Sequence, residues 1–367
     1  MTSDTQPQPQ ASASATPTPT PPRTALDFNL PEGDNFLVNS RGQRLHVRTF
    51  LPAAGKGEGG GEGGVKALLV WSHGYAAHVN GPTVAKVMAG MNENGFAVIA
   101  IDHHGHGYSD GKTVLITDYK HLVDDSMTLL DIIDNGTPDG DESHLGMDAD
   151  LRERLRTLPF FLGGQSMGGG LALMLGMHLA SDDTREGIAG RFVGVMANCP
   201  AIIANPPPKP VLLVLKHIIA PMFPAMQLPS FMEKVSVPEL VWNSDEYKEM
   251  GALDKVGKPG GLGWPGTMRL STGSQLLDML GSIQSRLAEV NFPFLVMHDP
   301  EDGVVRFEGT EMLLKEATTP THIPRGKELK EMLGMKHDLL SNASQEMVDT
   351  YVDWAGARLE ARTNEKA

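Results

Sequence analysis

Gly164-Gln165-Ser166-Met167-Gly168 is the stretch whose reading decides the fold, together with the residues on either side of it. The apolar run Leu158-Pro-Phe-Phe-Leu162 precedes it, and the helix-forming run Gly170-Leu-Ala-Leu-Met-Leu follows. A serine with glycine two residues away on both sides, between a strand and a helix, is the pattern of a nucleophile elbow. The glycines are required because a sharp strand-to-helix turn brings backbone segments so close that a Cβ has no room. Such a turn lifts the Ser166 hydroxyl clear of a sheet and sets a helix N-terminus beneath it, where developing negative charge is favoured.

Working outward, four more compact apolar runs share the character of the strand before the elbow. They are Ala67-Leu-Leu-Val-Trp71, Phe96-Ala-Val-Ile-Ala-Ile101, Phe192-Val-Gly-Val-Met196 and Phe294-Leu-Val-Met297, with helical stretches between. Short continuous apolar runs are expected of strands buried on both faces, and intervening helices imply a mostly parallel sheet. Upstream, Phe36-Leu-Val and Leu45-His-Val-Arg-Thr-Phe50 flank Asn39-Ser-Arg-Gly42 and predict a hairpin with Gly42 in its turn. The Gly55–Gly64 run is a flexible loop and not a phosphate loop, since no Lys-Ser/Thr ending follows it.

A serine is a weak nucleophile without a base. In a sheet with this elbow the acid and the histidine follow the serine in that order. His298-Asp-Pro-Glu-Asp302 comes after the Phe294 strand, and Gly334-Met-Lys-His337 comes after a final strand expected near Glu328–Leu333. The order therefore selects His337 as base, whereas His217, His298 and His322 fall in a helical segment, at a strand terminus and beside prolines. Asp302 and Asp299 both qualify as the acid on position alone. For the oxyanion, the loop Ser72-His-Gly-Tyr75 should supply the backbone N–H of Tyr75, and Met167 the second. His73 lies upstream of the serine and is assigned to holding that loop. Asp102, His103, His104 and His106 resemble metal ligands, but adjacent ligands rarely converge, so no metal site and no cofactor are expected.

These motifs in this order resemble the monoacylglycerol lipase/lysophospholipase-like family of serine hydrolases. The resemblance rests on His73-Gly74, Asp102-His-His-Gly105-His-Gly107-Tyr-Ser109, Gly164–Gly168, His298-x-x-x-Asp302 and Gly334-Met-Lys-His337, and it extends over roughly 30–359. It implies an α/β-hydrolase fold, a mostly parallel central sheet flanked by helices with an inserted helical cap. It also implies Ser166, Asp302 and His337 as triad, Tyr75 and Met167 as oxyanion hole, and hydrolysis of a monoacylglycerol or related lysolipid. One departure is that the family usually has His-Gly-x-x-Asp where this chain has His298-Asp299-x-x-Asp302.

The chain accordingly divides into a tail at 1–26, a core at 27–200 and 291–362, and a cap at 201–290. The tail is mostly Ser, Thr, Ala, Gln and Pro, too poor in apolar residues to offset its ordering entropy, and is expected to be disordered. In the cap, Pro206–Pro221 reads as a short helix bounded by prolines and apolar nearly all round. Leu212, Leu215 and Ile219 are its candidate substrate contacts. Such a helix either packs on the core or forms a lid that receives an acyl chain and touches lipid.

Composition limits the partners. A formal net charge of −14 excludes a phosphate-backbone partner, so no nucleic acid is expected. One cysteine, Cys199, in 367 residues suits a reducing compartment, and no secretory or membrane-spanning segment is evident. The expectation is a cytoplasmic protein that acts on a lipid-like ester and meets membranes or micelles transiently through its cap.

Overall fold

The computed structural model describes residues 34–52, 64–136, 149–181, 186–205, 208–232 and 237–366. The tail at 1–26 and nearly all of the Gly55–Gly64 run lie outside the described residues. Eight strands form one sheet: β1 (Asp34–Val38), β2 (Arg44–Phe50), β3 (Ala67–Ser72), β4 (Phe96–Ile101), β5 (Phe160–Gln165), β6 (Phe192–Asn198), β7 (Phe294–His298) and β8 (Lys327–Glu331). Their order is β1-β2-β4-β3-β5-β6-β7-β8. The hairpin of β1 and β2 is antiparallel and joins β4 antiparallel, while every other neighbouring pair is parallel. Gly42 takes a positive φ of 73° in the hairpin turn, as its position predicts.

Alternation between two buried faces explains why the central strands are apolar along most of their length, with polar residues only at their carboxyl ends. Leu68 and Val70 join one buried cluster and Leu69 and Trp71 the other, one on each face of the sheet. Neighbouring strands repeat the division, with Leu162 against Phe161 and Val296 against Leu295. The helix that follows the elbow, Met167–Ser181, is buried over most of its length, which is why its sequence carries no polar stripe.

The described residues of the 201–290 span lie between β6 and β7 and contribute no strand to the sheet. Lys209–Val214 is α-helical, Leu215–Ile219 is a π turn, and Ala220–Met222 completes the rod. Pro238–Val241 and Asp245–Leu253 follow as short helices. Leu270–Ser285 closes the span and packs Met279 and Ile283 into the cluster around the elbow helix. No described helix is long and apolar enough to cross a membrane.

Candidate active site

The elbow holds its serine in a strained conformation. Ser166 has φ +57°, and its N–H donates to the Asn198 carbonyl at 2.9 Å, which ties the turn to β6. A Cβ on Gly164 would lie 2.3 Å from the Gly168 carbonyl, and one on Gly168 would lie 2.1 Å from the Ser72 carbonyl. Neither contact is possible, so both glycines are fixed by backbone approach.

Three loops at the carboxyl ends of the strands bring the remaining groups together. His337, on the loop after β8, lies with Nε2 2.8 Å from Ser166 Oγ and Nδ1 2.7 Å from Asp302 Oδ2. All three residues are buried. Asp302 Oδ1 accepts the Val304 N–H at 2.7 Å and the Val305 N–H at 3.2 Å, so its other oxygen must face the ring. Burial alone would raise the Asp302 carboxyl, but His337, with His298 behind it, holds it well below the usual carboxylate range. His298 Nδ1 shares a hydrogen with Thr310 Oγ1 at 2.7 Å, and its Nε2 lies 3.3 Å from Asp302, poorly aligned for a hydrogen bond.

Asp299 has a different task from Asp302. Its Oδ1 accepts the Glu301 N–H at 3.0 Å and its Oδ2 the Lys336 N–H at 2.6 Å. It thereby fastens the β7 loop to the loop that carries His337, and it makes no bond to the imidazole. The Gln165 side chain adds a second fastening by donating to the His337 carbonyl at 2.5 Å. Both flanking residues of His337 reach further: Lys336 Nζ donates to the carbonyls of Glu239 and Trp242 at 2.8 and 3.0 Å, and Asp338 accepts the Trp242 indole N–H at 2.8 Å.

The loop after β3 is held by histidine. His73 Nδ1–H donates to the Gly74 carbonyl at 2.7 Å, which leaves Nε2 to accept the His103 N–H at 3.1 Å. Asp102 Oδ1 accepts the Val79 N–H, and its Oδ2 meets His46 Nδ1 at 2.7 Å. Burial would raise Asp102, yet His46 holds it below the usual range. Burial lowers His73 and His103, and it pushes His106 down to about 3. These three imidazoles are therefore neutral and serve to set the loop. Tyr75 is the third residue of that loop, and Met167 opens the elbow helix, where N–H groups have no intrahelical acceptor.

Ser166 and Tyr75 line two cavities at once. The larger, about 740 Å³, is walled by Met167, Leu212, Leu215, Leu270, Leu276 and Val305 among others. The smaller, about 410 Å³, is walled by Trp242, Tyr247, Pro265 and the bidentate His78–Asp254 pair. Ile219 does not line the larger cavity beside Leu212 and Leu215, because the π turn starting at Leu215 breaks the α-helical spacing that would align them. The fastening role of Asp299, like Gln165 and the Trp242 wall, has no clear sequence signal, since each acts through contacts between distant segments. Cys199 could have been suspected from its position directly after β6 at the carboxyl edge of the sheet.

The profile of a family described as "Serine aminopeptidase, S33" matches residues 63–344. The chain is 26% identical over 300 residues to the monoacylglycerol lipase of Mycolicibacterium smegmatis, covering 80% of this chain and 89% of that protein. It is 25% identical over 339 residues to the monoglyceride lipase of Mus musculus, covering 91% and 94%. Its fold is similar to the crystal structure of Paleococcus ferrophilus monoacylglycerol lipase, with a TM-score of 0.62, 18% identity, and coverage of 86% and 99%.

Proposed function

From the premise that this chain belongs to the serine aminopeptidase, S33 family of α/β hydrolases, we propose that it cleaves the acyl ester of a monoacylglycerol or related lysolipid through an acyl-enzyme. The observation that carries this reading is a Ser166–His337–Asp302 relay standing where two cavities meet. His337 takes the Ser166 proton as the hydroxyl attacks the carbonyl, and Asp302 keeps the proton on Nδ1 and stabilises the imidazolium. The Tyr75 and Met167 amides stabilise the oxyanion, a contribution of about 3–4 kcal/mol for a donor of this kind. His337 gives that proton to the departing alcohol, then takes one from the water that attacks the acyl-enzyme and returns it to Ser166.

Ester selectivity over peptide is supported by the larger cavity. Among the described residues lining it are one cation, Lys216, and no carboxylate that could hold a free α-amino group. Its Leu, Met and Val walls suit an acyl chain, each buried methylene adding about 0.8 kcal/mol. The smaller, more polar chamber is left for the alcohol. Outside the cavity, Leu213, Ile218, Met222 and Phe223 are exposed, and these are the side chains proposed to meet a micelle or membrane in transient contact. A cytoplasmic location and the 201–290 cap belong to the same proposal.

The test combines a fluorophosphonate probe with a substrate series. The probe should label the wild type but not Ser166→Ala, and kcat/KM on 2-acylglycerols should climb with acyl length. Labelling that survives the substitution, or a faster rate on aminoacyl peptides than on any ester, defeats the proposal.

A further inference from the structure

The catalytic acid and base have a third neighbour that the hydrolytic cycle does not use. Cys199, the chain's only cysteine, leaves β6 in a left-handed conformation with φ +39°, fixed by a 2.8 Å hydrogen bond from its N–H to the Met297 carbonyl. One ligand atom from each of Cys199, Asp302 and His337 lies within 4.8 Å of the others, and all three side chains are buried. Around a tetrahedral zinc, sulfur at about 2.3 Å and nitrogen or oxygen at about 2.0–2.1 Å leave the ligands about 3.3–3.6 Å apart. The Cys199 sulfur thus needs to close by at most about 1.3 Å, and the Asp302–His337 pair, now 2.7 Å apart, to open slightly.

We infer that Cys199, Asp302 and His337 form a binding site for a thiophilic divalent cation such as Zn²⁺, and that occupation of this site switches the hydrolase off. Donor chemistry supports the choice of ion, since thiolate with imidazole and carboxylate selects zinc over the oxygen-seeking magnesium and calcium. Charge supports it as well. A thiolate and a carboxylate neutralise a dication completely, so the loaded site buries no net charge. On binding, the thiol proton leaves to solvent and the sulfur takes its place on the metal. The His337 ring binds through Nδ1, the nitrogen that faces Asp302, and its proton passes to Nε2. The proton on Nε2 then points at Ser166 Oγ, and a ring in that tautomer cannot accept the serine's proton. Water completes the fourth position.

The inhibition rests on the proposed hydrolase activity, whereas the binding does not. The experiment therefore reads both. Buffered Zn²⁺ is titrated into wild type and Cys199→Ser and Cys199→Ala variants, each rate on a soluble short-chain ester being expressed against that variant's own metal-free rate. Co²⁺ is titrated in parallel, and the thiolate-to-cobalt absorption in the near ultraviolet is recorded. Wild type should bind one ion, show the absorption band, lose activity in step, and recover with chelator. Both variants should lack the band and need at least a tenfold higher Zn²⁺ concentration for half inhibition. Equal Zn²⁺ sensitivity in all three proteins, or no thiolate band in folded wild type, overturns the inference. A band without inhibition keeps the site but refutes the switch. If no ester is turned over at all, the band alone decides the metal site, and only the hydrolase reading fails.

Discussion

Replacing Asp302 by Asn separates the two candidate acids through hydrogen-bond direction alone. Asp302 Oδ1 receives two backbone donors, from Val304 and Val305, so the oxygen of an asparagine must stay on that side. The amide nitrogen is then turned toward His337 Nδ1, which sits 2.7 Å from the present Oδ2. A nitrogen carrying hydrogens forces Nδ1 to accept, and the ring proton moves to Nε2, facing Ser166. The base is occupied and the imidazolium loses its counter-charge. A wrong tautomer of this kind lowers kcat about 10⁴-fold, or roughly 5.5 kcal/mol in the barrier. The geometry otherwise survives, so KM should change little. Asp299→Asn is the matched control, because its carboxylate bonds two backbone N–H groups and no imidazole. An asparagine satisfies one donor and opposes the other, a stability cost of about 1–3 kcal/mol. Its kcat should fall about tenfold, through a loosened base loop, with a lowered melting temperature. Steady-state kinetics on a soluble ester beside thermal melts decide between them. An Asp302→Asn enzyme within tenfold of wild type, or a larger kcat loss at Asp299, would mean that the acid has been misassigned.

Two further outcomes follow from the structure. His73, His103 and His106 are held neutral by burial, with His106 pushed to about 3, while in the unfolded chain they titrate near 6.5. The unfolded state therefore binds more protons below pH 6.5, and stability falls as pH drops, by up to about 4 kcal/mol per pH unit for three groups. Asp102 and Asp302, depressed in the fold, add loss only below the ordinary carboxylate range, as pH falls toward their native values. Urea midpoints that stay level between pH 6.5 and 4.5 would contradict this account, and His106→Gln should remove about one proton from the slope. In the cap, Ile218→Glu should depress turnover of micellar long-chain monoacylglycerol far more than that of a dissolved short-chain ester, since Ile218 is 54% exposed. Leu215→Glu, facing the larger cavity, should instead lower kcat/KM for long acyl chains in any physical state, and identical profiles for the two variants would refute the inward-outward division.

Much of this site could be read from the sequence because its key parts are local. The Gly164–Gly168 elbow carries its own strain and its own close contacts, so five residues announce the turn. The order of acid and base after the serine is a property of strand topology, and it selected His337 before any distance was known. Asp302 and Asp299 were harder, because both lie at the same strand end. Only the position of Lys336 N–H against one, and of the imidazole against the other, divides them. Ile219 failed to join Leu212 and Leu215 because a π turn leaves no periodic mark in an all-apolar stretch. The Trp242 wall and the Cys199 triangle join segments about a hundred or more residues apart, and pattern within a window cannot see such contacts.

His337 is mounted like a hinge pin between two plates. One neighbour of His337 grips the Pro238–Val241 helix and the following Trp242 by its ammonium, and the other neighbour holds the Trp242 indole. Asp338 also donates its backbone N–H to the Val241 carbonyl at 3.1 Å. Displacing that segment must break these four bonds or drag the imidazole away from Ser166. Linkage makes the effect mutual: whatever steadies His337 steadies the wall of the smaller chamber, and whatever settles against that wall acts on His337 by the same free energy.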